Sequence, residues 1–136
     1  KKPEFTRVHP SLSKEADRVA TLVHTLALAV DSAVMRHGRK IVDRQFIQER
    51  MADAAIGIYM STAVLSRTTW EIERAGSVDA VKPEMDCARL FLADRYRQVR
   101  RSIRRISRNQ DDRMKAVAER VLETSDAAPI SPSDRM

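Results

Sequence analysis

The run MADAAIGIYMSTAVLSR, from Met51 to Arg67, constrains the fold most. Between Asp53 and Ser66 nearly every residue is apolar or small. A helix that is apolar on all sides has to be buried. The run stops well short of the roughly 20 apolar residues a membrane span requires. Ala52, Ala54, Ala55, Gly57, Ser61 and Ala63 are small enough to let neighbouring helices approach closely. The expected object is the central helix of a soluble bundle, covered by the other elements.

The flanking sequence supplies those elements. Residues 1–10 are polar, contain Pro3 and Pro10, and read as an extended lead-in. Ser11 or Ser13 can cap a first helix, with Glu15 and Asp17 at the positive end of its dipole. Val19, Leu22, Val23, Leu26, Val30, Ala33 and Val34 recur at helical spacing, and Gly38 is the expected stop. The second helix is expected from about Ile41–Asp43 to Ala75, with Ile47, Met51, Ala54, Ile58, Leu65 and Ile72 inward. Trp70, near its far end, reads as a packing residue. Pro83 suits the first turn of a third helix, whose inner stripe is Met85, Ala88, Leu92, Tyr96, Val99, Ile103 and Ile106. Asn109 to Asp112 can cap a short fourth helix with Met114, Val117, Val121 and Leu122 on its inner side. The expectation is an all-α protein, an antiparallel bundle of about four helices over residues 11–125, followed by an irregular tail over 126–136.

Few sites for chemistry stand out. None of His9, His24 and His37 has a carboxylate three residues upstream, so the Glu-x-x-His pair of di-iron bundles is missing. Each reads as a surface or boundary residue. Cys87 is the only cysteine; no disulfide within the chain and no cysteine-based zinc site can form. Its helical neighbours suggest a buried, inert thiol, compatible with a reducing compartment. Gly38, Gly57 and Gly76 stand alone, so no glycine-rich phosphate loop is present. Asp53 is the one charge in the central run and is expected to pair with Arg50 or an arginine of the third helix. No catalytic, cofactor-binding or metal-binding residue is assigned. No signal peptide follows Lys1, and the absence of a starting methionine suits an excised domain or a processed product.

The basic residues are more informative. The formal net charge is +6, which admits anionic partners. Arg95, Arg97, Arg100, Arg101, Arg104, Arg105 and Arg108 crowd one helix with no acid among them. Arg97, Arg101, Arg104 and Arg108 step by four, three and four and share a face, with Arg105 on its flank. Such a face suits an anionic membrane surface or an acidic surface of another domain or subunit. Nucleic acid ranks last, because the aromatic residues occupy apolar helical positions instead of stacking sites.

Several segments resemble the C-terminal helical extension of very-long-chain acyl-CoA dehydrogenases. They are Val8–Ser13 (VHPSLS), Arg36–Phe46 (RHGRKIVDRQF), Arg50–Tyr59 (RMADAAIGIY), Val64–Arg67 (VLSR) and the terminal SPSDRM. The arginine stripe matches none of these motifs. The resemblance implies a helical bundle similar to the dehydrogenase's own C-terminal bundle, which packs on the dehydrogenase core and caps its dimer. It implies a parent flavoprotein of fatty acid β-oxidation, with FAD, the catalytic glutamate and the acyl-CoA cavity upstream of this segment. The location it implies is cytoplasmic or inner-membrane-associated, mitochondrial if the source is eukaryotic. A free-standing helical interaction module with an anion-binding helix is the alternative.

Overall fold

A computed structural model describes residues 1–126. The tail expected over 126–136, with its SPSDRM terminus, therefore lies outside the described residues except for Asp126 at its start. Helical periodicity and the few glycines decide where the elements lie. A single 3-10 turn, Pro10–Leu12, leads into α1, Ser13–His37. Neither Ser11 nor Ser13 caps it, contrary to expectation: Leu12 holds the cap position with no side-chain bond. The His9 Nδ1 instead accepts from the Ser11 N–H, 3.2 Å away, and closes the 3-10 turn.

A second 3-10 segment, Gly38–Asp43, separates α1 from α2, Gln45–Ala75. The second helix thus begins a few residues later than the apolar pattern suggests. At 1.5 Å per residue its 31 residues span about 46 Å. Gly76 ends it at φ 78°, a left-handed conformation that costs a glycine little, and its N–H reaches the Ile72 carbonyl at 2.9 Å. A 3-10 turn, Asp79–Val81, brings in α3, Lys82–Ser107, with proline in its first turn as expected. Last comes α4, Asp111–Asp126. The Asn109 Oδ1 accepts from the Asp111 N–H just before it.

The core is stacked in three layers. At one end Leu12, Val19, Leu65, Ile72, Val81, Met85 and Leu92 meet, with Phe5 and Val8 of the lead-in against them. The middle joins Leu22, Ala54, Val99 and Ile103, and the far end joins Ala33, Ile47 and Ile106. Residue numbers rise along α1 and α3 while they fall along α2, so α2 runs antiparallel to both. Gly57 makes this possible in the middle layer. A Cβ there would lie 2.3 Å from Val99 Cγ2, so Val99 of α3 occupies the space that a side chain would need. Ser61, fully buried one turn on, is satisfied by donating to the Gly57 carbonyl at 2.8 Å.

Two expectations about burial fail. The central helix is not covered all round: Ala54, Gly57, Ser61 and Leu65 are buried, but Ala52, Ile56, Tyr59, Met60 and Ala63 are exposed. Among the described residues only the helices α1 and α3 pack along α2, and two helices leave part of a third uncovered. The fourth helix packs along none of the other three, and every residue from Asp112 to Ser125 is exposed. Met114, Val117, Val121 and Leu122, expected inward, face solvent. The described residues form an all-α bundle of three antiparallel helices, with a fourth helix joined at one end.

Candidate functional site

The most distinctive surface is the outer side of α3. Met85, Ala88, Leu92, Val99, Ile103 and Ile106 turn inward, which forces Arg97, Arg100, Arg101, Arg104 and Arg108 outward. All five are exposed, as is Arg105 on the flank. Arg97 has a partner, Asp94, 3.3 Å away one turn back. No carboxylate among the described residues lies within 4.0 Å of Arg100, Arg101, Arg104, Arg105 or Arg108. Like charges packed along a helix repel. The negative end of the α3 dipole offsets some of that repulsion, because the cluster occupies its last turns. The other α3 arginines are fastened: Arg95 lies over the Phe91 ring at 5.5 Å, and Arg89 binds the Ser11 carbonyl and Glu15.

Next to this stripe lies an ion pair with no local sequence signal. Arg50 of α2 grips Asp111, the first residue of α4, through two hydrogen bonds of 2.7 Å each. A further Arg50 N–H reaches the Arg105 carbonyl at 3.3 Å. Both side chains are largely buried, and Arg44 pairs with Asp112 beside them. The hydrogen bond from Arg50 is the main reason that the Asp111 carboxyl is held below its ordinary pKa. Asp111 raises the Arg50 pKa in return. This clamp pins the base of α4 to the body. The pairing expected for Arg50 was with Asp53. Asp53 is instead exposed at the edge of the groove between α2 and α3, lining the same hollow as Arg95 without an ion pair to it.

Other sequence candidates are dispersed. Cys87 is exposed, not buried, beside Pro83 and Phe91. It stands between Met85 and Ala88 in sequence, but on the helix it is turned about 100° from Ala88, away from the core stripe. Trp70 is about half exposed and sandwiched between the Arg67 and Arg74 guanidiniums at 5.2 and 5.1 Å. It also borders a hollow shared with Val8 and Pro10 of the lead-in, so cation–π contacts and packing hold it together. His9, His24 and His37 are partly buried and far apart in the chain, and no three metal-ligating side chains cluster among the described residues.

A concavity of about 590 Å³ lies between the start of α2 and the first turns of α4. Phe46, Met114 and Ala118 line it together with Asp43, Asp111 and Asp112. A flavin dinucleotide does not fit these residues. Lys40, Arg44 and Lys115 in its wall are balanced by the three carboxylates, so no net positive charge awaits a pyrophosphate, and no glycine-rich loop borders the cleft. No chemical step is assigned to this segment.

Comparison with known proteins agrees with the helical architecture. Residues 10–127 match the family described as ACAD9/ACADV, C-terminal domain. A 62-residue segment, 46% of this chain, is 37% identical to the very long-chain specific acyl-CoA dehydrogenase of mitochondria from Rattus norvegicus. The corresponding proteins of Homo sapiens and Bos taurus are 36% and 32% identical over the same length. The aligned segment spans about 10% of each of these relatives. With this match across most of its length, carried on an all-α bundle, the chain belongs to the ACAD9/ACADV C-terminal domain family.

Proposed function

We propose that this chain is the non-catalytic C-terminal domain of an FAD-dependent dehydrogenase acting on long-chain acyl-CoA thioesters in fatty acid β-oxidation. The family match over residues 10–127 carries this reading. FAD and the reacting groups belong to the part of the parent outside this segment. Here the domain supplies shape and charge: it caps the dehydrogenase dimer and holds a basic face toward an anionic membrane surface, in mitochondria if the source is eukaryotic. Arg97, Arg101, Arg104, Arg105 and Arg108 form that face, supported by their exposure and by the absence, among the described residues, of carboxylate partners for all but Arg97. Each basic residue held near an anionic bilayer contributes about 1 kcal/mol, less at high salt.

The test uses the full-length enzyme and vesicles containing anionic lipid. The quadruple change Arg97→Gln, Arg101→Gln, Arg104→Gln and Arg108→Gln should abolish co-sedimentation while helicity and dehydrogenase activity stay intact. Unchanged sedimentation would remove the membrane role. If a form lacking this domain remains a fully stable, active dimer, the capping role fails.

A further inference from the structure

The uncovered face of α2 has a composition that water alone does not explain. Ala52, Ile56, Tyr59 and Ala63 follow one another at steps of four, three and four along its outer side, Met60 lies on their flank, and Tyr59 is 74% exposed. No charged side chain interrupts the run from Ile56 to Ala63. The outer side of α1 differs. There Leu28 and Met35 share a face with Asp17, Thr21, His24 and Asp31, as expected of a helix side that stays wet. Contiguous apolar exposure of the α2 kind marks an interaction surface.

The ends of the α2 face carry opposite charge. Glu49 and Asp53 sit at its N-terminal end without a basic partner among the described residues. At the other end Arg67 is paired to Glu71 at 2.6 Å, Arg74 has no carboxylate partner among the described residues, and both guanidiniums stack on Trp70. Apolar centre, charged ends and a rigid aromatic rim are the anatomy of a protein interface. They are poorly suited to lipid, which would bury Glu49 and Asp53 unpaired.

We infer that the outer face of α2 is the seat of the dehydrogenase part of the same polypeptide, an inference that rests on the function proposed above. The matched family is a C-terminal domain, and about nine tenths of each relative's length lies outside the aligned segment, so a large folded partner is always at hand. The partner surface is apolar at its centre, with basic groups opposite Glu49 and Asp53 and an acidic group opposite Arg74. Seated this way, the domain buries α2 on all sides, as its sequence demands. The arginine face of α3, on another side of the bundle, stays free.

The experiment places the photo-cross-linking residue benzoylphenylalanine at position 59 of the full-length enzyme, with position 28 on α1 as the control. Flavin content and circular dichroism check folding, and the same probe at position 60 repeats the test with a different side chain lost. After irradiation, mass spectrometry identifies the joined peptides. The expected result is cross-linking from 59 and 60 to peptides of the dehydrogenase part, several-fold above the yield from 28. Cross-links from 59 to residues 1–136 of a second copy overturn the choice of occupant. Cross-links to the dehydrogenase part from 28 alone overturn the choice of face and leave the proposed function standing. Absence of interdomain cross-links from all three positions overturns both.

Discussion

Replacing Gly57 by alanine tests the close approach of α2 and α3. The added Cβ would sit 2.3 Å from Val99 Cγ2, against about 3.5–4.0 Å for an ordinary carbon–carbon contact. More than an ångström must therefore open between α2 and α3. Val99 is buried, and its β-branched side chain has one strongly preferred rotamer in a helix, so it cannot simply turn away. Overpacking of this kind costs about 1–3 kcal/mol, and the severity of the overlap points to the upper end. Against it stands the helix propensity of alanine over glycine, worth about 1 kcal/mol. The net expectation is a loss of about 2 kcal/mol, or a fall of roughly 8 °C in Tm for a domain of this size. Urea unfolding followed by circular dichroism measures it, with the slope unchanged. In a Val99→Ala background the overlap disappears, and Gly57→Ala should become neutral or stabilising by up to about 1 kcal/mol. A single Gly57→Ala variant as stable as the parent, or more stable, would refute the close packing of α2 on α3.

Three other expectations follow from the same packing. The folded pKa of Asp111 lies below its unfolded value near 3.9, so its clamp on Arg50 contributes fully above that value and is lost as pH falls through the depressed one. Asp111→Asn should therefore remove part of the acid destabilisation below about pH 5 and speed amide exchange in α4, as hydrogen exchange followed by mass spectrometry will register. Substituting Val117→Lys and Leu122→Glu together should change the unfolding free energy of this chain by less than about 0.5 kcal/mol, because neither residue packs on the body; a larger loss in denaturant titration would mean that α4 does dock. The exposed Cys87 should react with a thiol reagent in the native protein as fast as in denaturant, within about tenfold, whereas a buried thiol would wait for unfolding.

Much of the architecture was legible in the sequence because it depends on local rules. The inner stripes of α2 and α3 follow the three- and four-residue steps, and among those positions only Met51, Ile58 and Tyr96 are partly, not fully, buried. Gly76 and Pro83 mark helix ends through their own backbone chemistry. The arginine face was visible for the same reason, since residues four and three apart on a helix share a side whatever surrounds it.

The sequence by itself determined an all-helical chain, the order of its helices and the side of α3 that carries charge, because each depends on spacing within one segment. Only the tertiary structure decided which apolar residues are covered. Periodicity shows that a face is apolar; it does not show whether a partner exists within the chain. Met114, Val117, Val121 and Leu122 looked like core and face water, and the outer side of α2 does the same. The Arg50–Asp111 clamp was equally hidden, because its members are 61 residues apart and the nearer Asp53 lies at the groove between α2 and α3 instead. Three helices enclose one shared axis, so each buries only the side turned toward it, and the rest of an apolar helix stays exposed for a surface beyond these residues.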